Sequence, residues 1–159
     1  MPIEVHETED GRMGVIAYGL GNNISNQSRK YIHGVHSTDY GDPRDGVILL
    51  VDFVRKDYGT SPSGEAVQRA ELANLRAVPT WTSNDWVGRK AGQKPVIRIH
   101  PTQLLLDRAR AALASAKDDA TSLALKKEVK LYEDRIKRVR EVLGEGFVTT
   151  DIPGGETTE

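Results

Sequence analysis

The sequence predicts an α+β fold: a small mixed β sheet carrying an alanine-rich helix and a protruding C-terminal antiparallel helical hairpin. Three observations predict it. The run VILLVDFV at 47–54 is nearly continuous in β-branched and large apolar residues, which pack well on a pleated surface. Ala66, Ala70, Ala73 and Ala77 recur at helical spacing. The stretch 119–143 contains neither Gly nor Pro, and Leu125, Val129, Tyr132, Ile136, Val139 and Leu143 alternate four- and three-residue steps to make one apolar seam.

Taken in order, Ile3 and Val5, then Val15 to Tyr18, flank Asp10-Gly11, a pair suited to a tight turn, so an early β hairpin is expected. Residues 19–46 are rich in Gly, Asn and Asp and read as a long loop. Because structureless loops beyond about 12 to 15 residues are uncommon in compact domains, the loop should hold a short element, near Ser28 to Val35, or be ordered by a partner. The strand at 47–54 is expected to be central. Gly59 to Gly64 is a connector, followed by a helix from Glu65 to Val78 that Pro79 stops. Residues 79–95 read as a loop, Val96 to Ile99 as a short strand, and Pro101 or Thr102 as the start of a helix reaching about Lys117, with Leu105, Ala109, Ala112 and Ala116 on one stripe. The last helix, at about 1.5 Å per residue, would be about 37 Å long. Gly144 and Gly146 stop it ahead of a short extended piece at Phe147-Val148 and an acidic tail.

These elements divide the chain into a mixed core at 1–100, containing the 19–46 loop, a helical hairpin at 101–143 packed on or extending from it, and a tail at 144–159. A length of 159 residues suits one domain that buries roughly 68 to 70% of its extended surface, enough for a core without disulfides or metal. The absence of cysteine excludes a thiolate nucleophile, a disulfide scaffold and a cysteine-held zinc or iron-sulfur site. The acidic start and the shortness of the longest apolar run argue against export and membrane insertion, so the expected setting is the cytoplasm or a macromolecular assembly.

The 22 basic and 23 acidic groups nearly cancel, but unevenly along the chain. Residues 1–46 carry four basic and seven acidic groups, 47–100 eight and five, 101–143 ten and seven, and 144–159 four acids with no Lys or Arg. Electrostatic binding would therefore work through a patch and not through net charge.

Catalytic signatures are weak. Gly19-Leu20-Gly21 does not continue into a dinucleotide fingerprint, and no phosphate-binding GxxxxGK[ST] loop occurs. His33, His36 and Asp39 stand at three-residue spacing and supply nitrogen and oxygen donors for a divalent ion, which gives a metal-dependent hydrolase as one alternative. Trp81 and Trp86 with Arg89, Lys90 and Lys94 combine stacking faces with cations, the pattern of a nucleic-acid-binding module, which is the other alternative. The first expectation is a non-catalytic structural or protein-interaction subunit of a larger assembly, needing no cofactor. Its partner would be another protein or further copies of itself. Trp81, Trp86 and Arg89 are its concentrated anchors, and Lys126, Lys130 and Arg138 on the outer face of the last helix could meet an acidic partner.

Overall fold

The computed structural model describes residues 3–21 and 26–150. Strands β1 (Ile3–Glu7) and β2 (Met13–Ala17) form the early antiparallel hairpin, in register from Ile3 opposite Ala17 to Glu7 opposite Met13. Its turn closes as Asp10-Gly11 suggested: the Thr8 and Arg12 backbones bond at 2.8 Å, Gly11 takes φ +78°, and Asp10 accepts from the Thr8 hydroxyl and the Arg12 guanidinium. The long loop holds its helical element later than expected, as a four-residue turn α1 (Thr38–Gly41) that runs into a 3-10 turn at Asp42–Arg44.

The main sheet has three antiparallel strands in the order β3-β4-β5: β3 (Asp45–Thr60), β4 (Ala66–Asn84) and β5 (Ile97–Pro101). Two expectations are corrected by it. The alanine-rich segment is not a helix but the body of β4, paired with β3 from Asp45 opposite Trp81 to Thr60 opposite Ala66. A lone alanine stripe offers little apolar area to hold a helix in place, whereas pairing satisfies the backbone of the strongly β-forming run in β3, so tertiary pairing overrides local propensity. The strand at 47–54 is also an edge strand and not a central one, and Ile48 and Phe53 on it are exposed.

Pro79 lies inside β4 without breaking it, for a reason visible in the hydrogen bonding. Ala77 donates to the carbonyl of Phe147 at 2.7 Å, on the side away from β3, and Val47, opposite Pro79, donates to Leu20 at 2.9 Å. Amide directions repeat every second residue, so the nitrogen of Pro79 also points away from β3. It falls between the Phe147–Thr149 segment and the start of β5 pairing at Thr80, where no ladder donor is required.

The β3–β4 hairpin is bulged twice, between Leu50 and Asp52 and between Asp57 and Thr60. Asn74 occupies the first bulge at φ +49°. Its side chain donates to Asp52 at 2.8 Å, and Arg76 reaches the same carboxylate at 3.4 Å. At the tip, the Ser61 amide donates to Glu65 O at 2.8 Å and Gly64 turns at φ +88°.

Helices α2 (Thr102–Ser115) and α3 (Asp119–Leu143) form the expected pair and pack together. Asp118 caps α3 by accepting from the Thr121 amide at 2.8 Å, and Gly144 ends it at φ +90°. On α2 the buried residues are Thr102, Leu106 and Ala109; of the expected stripe only Ala109 is buried, Leu105 and Ala116 being half-buried and Ala112 exposed. On α3 they are Arg135, Ile136, Val139 and Leu143, all in its C-terminal half. Val139 and Leu143 join Ile3, Val47 and Ala77 in the core, with Val15, Leu49, Leu75, Phe147 and Val148 packed around them. The start of the acidic tail is thus tied into the sheet, whereas Asp151 to Glu159 lie outside the described residues.

Candidate functional site

Beyond the core, the β3–β4 hairpin continues as an arm. From Asp52 to Thr60 it reaches about 30 Å at about 3.3 Å per residue. Between Asp52 and Ala73 only Glu71 is buried, and its carboxylate receives Lys56 at 3.2 Å. Phe53 is 71% exposed on one face and Val54 is exposed on the other. Arg69 crosses to Asp10 at the β1–β2 turn, 3.1 Å away, and Lys56 and Arg69 both lie over the Tyr58 ring. Among the described residues no strand pairs with the outer edge of β3 beyond Ile48. The arm therefore presents an open strand edge, apolar side chains on both faces and alternating charges.

This arm went unrecognised in the sequence. Its signal was present in DFVRKDYGTSPSGE: a β-forming run that becomes charged, then a Ser, Pro and Gly turn, then a second extended segment masked by its alanines.

The residues singled out from sequence fall into separate places. Trp81 is 2% exposed and so does not serve as a surface anchor or stacking platform. It is buried because β4 carries it into a node of charge beneath α3, where the Arg44 guanidinium lies 4.3 Å and that of Arg135 5.6 Å from its ring, with Tyr31 edge-on at 5.9 Å. Arg44 donates to Thr82 O at 2.7 Å. Arg135, 1% exposed, donates to Thr38 O at 3.0 Å and meets Asp42 at 2.9 Å and Asp45 at 3.4 Å. Arg138, expected to face a partner, is engaged with Asp42 at 2.8 Å. Burial pushes the Asp45 carboxyl up to about 7 despite the neighbouring Arg135, and one of its oxygens has no partner. A β-carbon on Gly41 would lie 2.3 Å from the Arg135 guanidinium and 2.9 Å from the Tyr31 ring, so the node leaves room for nothing larger there. The node joins the 38–45 segment, β4 and α3, and its role is to lock them together.

Trp86 sits in a 3-10 turn (Trp86–Gly88), half-buried, with one face covered by the Arg29 guanidinium at 4.4 Å. Arg89 is bound to Asp85, which its guanidinium holds below the usual carboxylate range, leaving Lys90 and Lys94 exposed on the loop. The structure does not bring Trp81, Trp86 and these cations onto one accessible face.

The expected metal ligands also part company. His33 Nε2 is 3.2 Å from Asp134 on α3. His36 Nδ1 accepts from the Ile32 amide at 3.0 Å, and its ring stacks on Tyr40 at 5.0 Å. Asp39 is held low by the Ser37 hydroxyl. Among the described residues no group of three or more His, Cys, Asp or Glu side chains is placed to share an ion, and no helix is long and apolar enough to cross a membrane.

Lys126 and Lys130 do share a site. With Lys127 they line a cleft of about 320 Å³ whose opposite wall is His33, Gly34 and Val35. Comparison of the chain with protein-family models, with curated proteins and with solved structures finds no match.

Proposed function

We propose that the protein is a non-catalytic structural component of a larger assembly, joined to its neighbours through the β3–β4 arm. The observation that carries this reading is the arm itself: two strands extended past the core, with a single buried residue between Asp52 and Ala73. An isolated two-stranded hairpin is marginal in water, because it exposes backbone donors and acceptors along both edges and has no second layer to cover its apolar side chains. Phe53, Val54 and the free edge of β3 supply what strand addition or face-to-face packing by a second chain requires. Arg55, Lys56, Asp57 and Arg69 interrupt the apolar surface and would select the partner and its register by charge.

The test is native mass measurement over a concentration series, together with capture of partners from the source extract, on the wild-type chain and on Phe53→Asp. The reading expects higher-order species or a retained partner for wild type. It expects their loss in Phe53→Asp, with the thermal unfolding midpoint of the dilute monomer little changed, since Phe53 lies outside the buried core. A wild-type chain that stays monomeric and retains no Phe53-dependent partner overturns the reading.

A further inference from the structure

The turn opposite Lys126 and Lys130 is built, not loose. Val35 and His36 amides both donate to Ile32 O, at 3.2 and 3.1 Å, the Ile32 amide donates back to His36, and Gly34 supplies φ +78°. The His36 ring is anchored by stacking on Tyr40, and His33 is tied across to Asp134 of α3. This frame holds Val35 up with 73% of its surface exposed, facing a helix whose residues 126, 130 and 134 share one side.

The charges of the cleft are unequal. Lys130 Nζ is 2.5 Å from Asp134, whose carboxyl is pulled two ways: burial raises it, but the bonds from Lys130 and His33 outweigh burial and keep it ionised. Lys126 and Lys127 have no ion-pair partner among the described residues. The cleft thus combines two uncompensated ammonium groups, the apolar stems of three lysines and an exposed isopropyl group on a fixed turn.

We propose that this cleft binds an acidic peptide segment of a protein partner, with carboxylates on Lys126 and Lys127 and an adjoining apolar side chain against Val35. The inference rests on the reading of the protein as an assembly component, and supplies a second contact whose chemistry is distinct from the arm's. A bare phosphate or a nucleic-acid backbone would use the cations alone. It would have nothing to place on Val35. A peptide that alternates acid and aliphatic residues uses both halves of the surface.

The experiment is fluorescence anisotropy on the full chain, with a labelled Glu-Leu-Glu-Glu-Leu-Glu peptide as probe and inorganic pyrophosphate and a single-stranded DNA oligonucleotide as competitors. Saturable peptide binding is expected. It should weaken about tenfold in Lys126→Ala/Lys127→Ala and about threefold in Val35→Ser, the scale of solvent-exposed charge pairs and of one partly buried side chain. Lys94→Ala, a lysine outside the cleft, should bind as wild type does. Absence of saturable binding, or binding indifferent to the cleft substitutions, overturns the proposal. Competition by pyrophosphate or DNA at least as strong as that of unlabelled peptide, with Val35→Ser without effect, overturns it in favour of a plain anion site. Phe53→Asp should bind the peptide normally, so failure of the arm and failure of the cleft are seen separately.

Discussion

Asp45 is the side chain on which the buried node turns. Its carboxyl is pushed up to about 7 because burial disfavours the charge more than Arg135, 3.4 Å away, favours it. An unfolded aspartate titrates near 3.9. Since the folded value is the higher one, the stability this group supplies is complete below about pH 4 and is lost as the pH rises through about 7. Asp45→Asn removes that dependence. Urea unfolding of the two chains at pH 5 and pH 8 should therefore show the wild type losing about 3 kcal/mol relative to Asp45→Asn over the interval, whatever their absolute stabilities. Equal slopes for the two chains would mean that Asp45 stays ionised against Arg135 throughout. None of this node was legible in the sequence. Arg44, Asp45, Trp81 and Arg135 come from separate elements, and an arginine at position 135 in a helix rich in Lys and Arg carries no mark of being buried. Trp81, marked as an anchor by its type, is one indeed, but for its own chain.

The elements divide by how local their causes are. The β1–β2 hairpin, β5, α2 and α3 follow from signals within a few residues of one another: a turn pair at Asp10-Gly11, a β-branched run, Pro101 before a helix, the Asp118 cap and the Gly144 stop. The alanine-rich segment failed because its cause is not local. Ala66, Ala70, Ala73 and Ala77 keep helical spacing, but the partner that decides their conformation is β3, across the Ser61–Glu65 turn. One residue tests that pairing directly. Asn74 takes φ +49° in the first bulge, a conformation that a β-branched residue adopts only under strain. Asn74→Val should cost about 1 to 2 kcal/mol in chemical unfolding, and Asn74→Gly, which loses the bond to Asp52 but accepts the angle, should cost less. A Val variant as stable as wild type would show that the bulge can shift its register freely. For candidate sites the same division holds. Lys126 and Lys130, one turn apart on a helix, were legible as a pair, whereas their partners His33 and Val35 came from a loop.

At the scale of the molecule, the described residues form a compact part and an extended part. The compact part has a core running from Ile3 and Val47 to Val139 and Leu143, closed by the Phe147–Thr149 segment along β4. The extended part is the arm, whose backbone bonds between strands, whose side chains are mostly exposed, and whose outer edge beyond Ile48 is unpaired among the described residues. Hydrogen exchange distinguishes these two parts, because opening of a segment with few buried contacts needs little free energy, whereas core amides exchange only through larger openings. The most direct measurement of the central claim is amide exchange of residues 52–60 and 66–73, on the dilute monomer and on the assembled form, whether assembly is with further copies or with a captured partner. In the monomer these amides should exchange much faster than those of Val47 and Ala77, and on assembly they should slow more than any other segment. Arm amides that exchange equally fast in both states, while protection appears elsewhere, would contradict the account.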